Sequence, residues 1–201
     1  MSRASQRYLA LGDSFTIGTG VGADRSFPAE LVRRWRALGL EVELTNPAVN
    51  GYTTDALIEH ELPLVREIRP TLVTVLIGAN DIVRGSDGPR YRSQVRRILE
   101  EVVSAQVPSA SIYGLPQPDW SRSPAASRYG TPAEIRARIT GFNDALRDEV
   151  ERTGGTYLDL FPLMRGQAAA GMLAPDGLHP SADALAEWAE WLEARLPAPR
   201  I

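Results

Sequence analysis

The sequence predicts an α/β protein, a three-layer α/β/α sandwich built on about five parallel strands. Two observations carry this. Short apolar, strand-like runs alternate along the chain with longer segments of helical periodicity, the pattern of a parallel sheet covered on both faces. The strongest run, Thr71-Leu72-Val73-Thr74-Val75-Leu76-Ile77, is nearly continuous and β-branched, as a strand buried on both sides must be. The 201 residues contain no internal repeat and no linker, so one domain spanning 1–201 is expected.

Taken in order, Tyr8-Leu9-Ala10-Leu11 reads as the first strand, ending in Gly12-Asp13-Ser14, with a Gly/Thr-rich loop from Thr16 to Arg25. Ser26 is a candidate N-cap for a helix with Pro28 and Glu30 in its first turn, Leu31, Trp35 and Leu38 on its apolar face, and Gly39 as its stop. Glu41–Thr45 alternates as a second strand. A helix is expected from Asp55 to Ile68, capped by Thr54 or Asp55, with Leu57, Ile58, Leu62, Val65 and Ile68 inward and a kink at Pro63. The third strand, Thr71–Ile77, is followed by a helix over Arg90–Ala105, a strand over Ser109–Gly114, a helix over Pro132–Arg152 and a strand over Thr156–Leu160. A last helix over Ser181–Leu196 presents Leu185, Trp188, Leu192 and Leu196 on one face. The one long irregular stretch, Leu115–Thr131, contains three prolines and Trp120. A loop of that length is either a lid or binding loop or ordinary surface variation.

Composition excludes several chemistries. A net charge of -3 carries no nucleic-acid footprint, and no apolar run is long enough to span a bilayer. Residues Met1–Arg7 lack the apolar stretch of a signal peptide, so a cytoplasmic location is expected. There is no cysteine, hence no disulfide and no thiolate nucleophile or ligand. All 22 basic residues are arginine, which removes a Schiff-base lysine and the P-loop lysine. The only histidines, His60 and His179, are far apart, so no metal site and no cofactor are expected.

What remains is serine chemistry. A serine hydroxyl needs a base to take its proton and a carboxylate to orient that base. Asp176-Gly177-Leu178-His179-Pro180 offers a histidine with an acid three residues before it, a spacing at which a tight loop can fold the carboxylate back onto the imidazole. His60, within Glu59-His60-Glu61, reads as a solvated surface residue. In parallel sheets ligands bind beyond the carboxyl ends of the strands, which gathers Gly12-Asp13-Ser14-Phe15, Asn50-Gly51-Tyr52-Thr53-Thr54, Gly78-Ala79-Asn80-Asp81 and Asp176–His179 on one rim.

In order and spacing these four blocks resemble those of the SGNH hydrolases, the GDSL-type esterases and lipases, and the resemblance spans the chain. It implies the flavodoxin-like form of the sandwich and a serine hydrolase. Ser14 resembles the nucleophile, His179 the base and Asp176 its orienting carboxylate. Gly51 (backbone N–H), Asn80 (side-chain amide) and the Ser14 N–H resemble the oxyanion donors. Phe15 departs from the leucine of the family's motif and is expected to pack into the core.

Blander readings stand beside these. Asp13-Ser14 can serve as a helix cap, Asn80-Asp81 as a turn bonded to its own backbone, which is the expectation for Asp81, and Asp176-Gly177 as a turn. Trp35, Trp188 and Trp191 are expected in the core or an interface, and Trp120 is the candidate substrate contact. The G-x-S-x-G elbow is absent. Gly18–Ala23 formally fits a dinucleotide fingerprint, but too far from a helix start to cradle a phosphate. A nucleotide- or flavin-binding module is therefore the remote alternative. The reading is an esterase acting on a small-molecule carboxylic ester, with short acyl chains favoured. Carbohydrate O-deacetylation, thioester or lysophospholipid hydrolysis and acyl transfer are the alternatives on the same machinery. The sequence says nothing of oligomeric state.

Overall fold

The computed structural model describes residues 6–196. Residues 1–5, part of the segment read above for a signal peptide, lie outside the described residues. Five strands, β1 (Gln6–Gly12), β2 (Val42–Thr45), β3 (Leu72–Leu76), β4 (Ile112–Gly114) and β5 (Thr156–Tyr157), form one sheet in the order β2-β1-β3-β4-β5. Every pairing is parallel. This is the flavodoxin-like order, whose switch point lies between β1 and β3.

The helices are α1 (Ser14–Ile17), α2 (Phe27–Ala37), α3 (Thr54–His60), α4 (Pro63–Ile68), α5 (Ala79–Val83), α6 (Gly88–Ser104), α7 (Pro132–Arg152), α8 (Phe161–Ala169) and α9 (Ala182–Glu193). α2 packs on α9, while α3 and α7 pack on α6. Right-handed crossovers place these two groups on opposite faces of the sheet. β3 is buried along its whole length, and its one polar side chain, Thr74, bonds the buried Tyr8 hydroxyl at 2.9 Å. No helix among the described residues is long and apolar enough to cross a membrane.

Several elements differ from expectation. The helix expected over Asp55–Ile68 is two helices, because Pro63 has no N–H to continue the first and instead starts the second. Its cap is Thr53, whose Oγ1 accepts from the Ala56 N–H at 3.4 Å. Leu57, Leu62 and Val65 face the core as expected, whereas Ile58 and Ile68 are only half-buried. Leu38 lies past the last turn of α2, where the chain swings out toward Gly39, and is 67% exposed. Ser26 precedes α2 but turns its hydroxyl back to donate to the Ala23 carbonyl at 2.6 Å. β4 and β5 are shorter than the runs that announced them, residues Ser109–Ser111 forming a 3₁₀ turn. The short helices α1, α5 and α8 were not anticipated, since one or two turns leave no periodicity to read.

α6 and α7 are tied by a buried carboxylate. Glu149, its side chain 2% exposed, accepts a bidentate pair from Arg96 at 2.9 and 3.0 Å and a further bond from Arg152 at 2.8 Å. The Arg96 hydrogen bonds, aided by Arg152, outweigh burial and hold the carboxyl down at about 2. A depressed acid contributes stability above its unfolded value of about 4.3 and loses it as pH falls toward 2. We expect Glu149→Gln to cost about 1–3 kcal/mol at neutral pH, the arginines being nearly half exposed. In thermal unfolding the variant should lose less stability than the parent between pH 5 and pH 2.

Candidate active site

The site is built where β1 and β3 end side by side. Gly12 pairs with Leu76, and the two strands deliver Asp13-Ser14 and Gly78-Ala79-Asn80 to the same rim. Asp13 caps α1: its Oδ1 accepts the Phe15 N–H at 3.1 Å. The cap reading and the nucleophile reading are therefore compatible, because the cap places Ser14 at the helix start. Phe15 is buried, as expected of an apolar replacement, and its ring centroid lies 5.2 Å from that of His179.

Asn80 sits in the first turn of α5 and ties three segments together. Its Nδ2 donates to the Tyr52 carbonyl at 2.9 Å and approaches Asp13 Oδ2 at 3.4 Å. The main partner of the Asp81 carboxylate is not the turn of its own backbone. The carboxylate reaches back to the loop after β2, accepting from the Thr54 N–H at 3.0 Å and the Thr54 hydroxyl at 2.5 Å. Gly51 has φ +89°, a conformation that excludes most side chains. No atom lies within 4 Å of where its Cβ would stand, so backbone conformation, not lack of space, calls for glycine here. Its carbonyl accepts from Arg84 Nη2 at 3.2 Å.

His179 and Asp176 meet as the spacing suggested. His179 Nδ1 lies 2.6 Å from Asp176 Oδ2, and the other carboxylate oxygen accepts the N–H groups of Leu178 and His179 at 2.9 and 3.0 Å. Burial pushes the Asp176 carboxyl up, but the imidazole and these two N–H groups together bring it below the ordinary value. It stays ionised through neutral pH. The Ala174 N–H donates to the His179 carbonyl at 2.7 Å, closing the loop.

The Gly-rich stretch before α2 has its role here. Gly20 has φ +91°, and a Cβ on it would meet the Ala174 Cβ at 2.8 Å and Asp176 Oδ2 at 3.4 Å. Of the glycines that mimic a nucleotide fingerprint, Gly20 thus seats the Asp176–His179 loop. Gly20 is a contributor the sequence reading missed; the glycine cluster was its only signal.

Ser14, Asn80 and His179 line one cavity of about 170 Å³, together with Trp120, Tyr129 and Leu178. Asn50 rather than Gly51 completes that side. No hydrogen bond joins Ser14 Oγ to His179 among the described residues; the two share the cavity, and such contacts often tighten only around substrate. Trp120 is buried, its Nε1 donating to Gln117 Oε1 at 3.2 Å and its ring edge-on to Tyr129. The long loop therefore borders the cavity. His60 is half exposed, as expected. Trp35 and Trp188 are buried and Trp191 partly so. No cluster of His, Asp or Glu among the described residues has metal-binding geometry.

Comparison with known proteins gives the family and the fold. Residues 10–186 match the GDSL-like lipase/acylhydrolase family. The chain is 23% identical over 193 residues to thioesterase 1/protease 1/lysophospholipase L1 of Escherichia coli, covering 96% of this chain and 84% of that one. It is 25% identical over 178 residues to the esterase TesA of Pseudomonas aeruginosa, covering 89% and 81%. Among solved structures, a TesA crystal structure superposes with a TM-score of 0.76 at 21% identity over 94% of this chain and 98% of that chain. The acetylxylan esterase Axe2 of Geobacillus stearothermophilus does so with 0.75 at 20% identity over 100% and 99%. The family match extends from β1 into α9 and so takes in all four blocks on the rim: the chain belongs to the GDSL-like lipase/acylhydrolase family, the SGNH hydrolases, and is an ester-hydrolysing enzyme.

Proposed function

We propose that the enzyme hydrolyses small carboxylic esters through an acyl-enzyme on Ser14. The observation that carries this reading is the Asp176–His179 pair at 2.6 Å, opening on the same cavity as Ser14 and Asn80. With Nδ1 engaged by Asp176, Nε2 is the nitrogen left to act as base. Ser14 Oγ attacks the carbonyl carbon while His179 takes its proton, and the ionised Asp176 stabilises the imidazolium. The tetrahedral oxyanion is met by the N–H groups of Ser14 and Gly51 and by Asn80 Nδ2. One Asn80 hydrogen is committed to the Tyr52 carbonyl; the other faces Asp13 at a distance too long for a strong bond and is free to turn to substrate. His179 returns the proton to the departing alkoxide, then activates water to release the acid.

The cavity supports short acyl groups. About 170 Å³ is close to the void of roughly 150 Å³ that accepts a benzene ring, so an acyl or aryl group of about six heavy atoms fills it. Trp120 and Tyr129 form its wall.

Ser14→Ala and His179→Ala should each lower kcat/KM for a p-nitrophenyl ester by about 10³-fold or more with the fold intact. A folded Ser14→Ala enzyme that turns over at the parent rate would refute the mechanism. Asn80→Ala should lower kcat by roughly 10²- to 10³-fold with a smaller change in KM, since the donor acts mainly on the transition state; unchanged kcat with raised KM would make Asn80 a ground-state contact. Trp120→Ala enlarges the cavity and should move the optimum of a chain-length series toward longer acyl groups. An unaltered series would remove Trp120 from the acyl pocket.

A further inference from the structure

Glu61 lies at the corner between α3 and α4 and takes no part in the mechanism above, yet it is fully buried directly beneath the nucleophile turn. Its Oε2 accepts the Gly12 N–H at 3.0 Å, two residues before Ser14. Its Oε1 is buried without a hydrogen-bond partner. Its charged neighbour is Asp13, itself fully buried. Neither acid has an ion-pair partner among the described residues. From the elements around them come Asp81 on α5, and Tyr91 and Arg90 on α6. Arg90 is turned outward to Asp55, at 2.6 Å, so no cation compensates the pair. Two unpaired carboxylates cannot both ionise cheaply in such a setting.

We propose that Glu61 is a positioning residue for Ser14, a neutral carboxyl that holds the last peptide of β1, and that full ionisation of the Glu61–Asp13 pair disables the site on the alkaline side. The inference rests on the serine-esterase reading. As a neutral acid, Glu61 accepts from Gly12 through its carbonyl oxygen and leaves only a hydroxyl unsatisfied, which costs less than an orphaned charge. When both acids ionise, two negative charges lie under the turn that carries Ser14. Asp13 Oδ2 also faces the Asn80 amide at 3.4 Å, so that charge competes with the oxyanion for its donor. Burial accounts for most of the rise that puts Asp13 at about 7 and Glu61 at about 8. The pair titrates as a unit in that region. Burial holds the Tyr91 phenol well above its ordinary value, so it contributes no charge there. Raised acids make the fold lose stability as pH climbs from about 4 through 8, because the native state keeps protons that the unfolded chain has lost.

The test compares the parent enzyme with Glu61→Gln and Glu61→Leu. Ester hydrolysis by the parent should fall by about tenfold per pH unit beyond the second carboxyl ionisation. Glu61→Gln keeps a neutral acceptor for Gly12, so it should match the parent within about threefold at pH 7 and lack the alkaline fall. Glu61→Leu should lower kcat more than KM across the range. Infrared spectra of the Ser14→Ala protein should show protonated carboxyl absorption at pH 7 that is lost by pH 10 and is reduced by more than half when Glu61→Gln is added, the remainder belonging to Asp13. A fall retained in Glu61→Gln, or no protonated carboxyl at pH 7, overturns the proposal. The infrared result does not depend on catalysis, so it separates failure of this proposal from failure of the serine mechanism.

Discussion

The parallel pairing of β1 with β3 is the constraint from which the rest of the site is measured. Gly12 stands opposite Leu76, so both strands stop at one level and their following residues emerge as neighbours. The sheet order reverses between these two strands. The crossovers on either side diverge and leave a crevice above the strand ends. Ser14 and Asn80 enter that crevice from strands whose interiors are wholly apolar but for the Tyr8–Thr74 pair. A one-residue slip of β3 would turn Asn80 away and bury the wrong face. The packing of β3 on both sides therefore fixes the chemistry as much as the fold.

Strand ends leave N–H and C=O groups that no ladder satisfies, and this chain answers with side chains of opposite kind. Three buried acids each take an N–H: Asp13 from Phe15, Glu61 from Gly12 and Asp81 from Thr54. Arginines take carbonyls: Arg84 that of Gly51, Arg138 that of Ile82 and Arg36 that of Val42. A lysine-free chain is well supplied for this, since the guanidinium can donate two bonds at once. The acids brace from inside and the arginines from the surface. That arrangement keeps buried carboxyls without a compensating cation under the Ser14 turn, whereas positive charge stays at the surface.

Local signals were legible in the sequence and long-range ones were not. The helix over Pro132–Arg152 was read to the residue because its start is written locally: Thr131 and Glu134 form a capping box and Pro132 occupies the first turn. The identities of Ser14, Asp176, His179, Gly51 and Asn80 came from motif order, and the structure brings Ser14, Asn80 and His179 to one cavity. Nothing in the sequence marked Glu61, which sits in a charged stretch with Glu59 and His60. It turns inward with Leu62 at the break imposed by Pro63, while Glu59 and His60 stay exposed. The main partner of Asp81 was missed for a related reason: Thr54 is 27 residues away, and turn chemistry sees only nearest neighbours.

Ser14 and His179, the proposed nucleophile and base, lie near opposite ends of the chain, so the cavity they share exists only once the last elements have docked. The loop carrying Asp176 and His179 leads through its Ser181 cap into α9, which packs on α2. Arg34 and Glu193 close that contact at 2.6 to 2.8 Å. The other side of the loop rests on Gly20, in the segment between α1 and α2. Helix α2 and its preceding loop thus connect Ser14 to His179 twice, by helix packing and by the glycine seat. Phe15 adds a third link, its ring against the imidazole. A dyad held only by its own short loop would be free to drift relative to the serine. Three independent contacts with the β1–α2 segment oppose that drift and hold the loop histidine on the cavity that Ser14, at the start of α1, also lines.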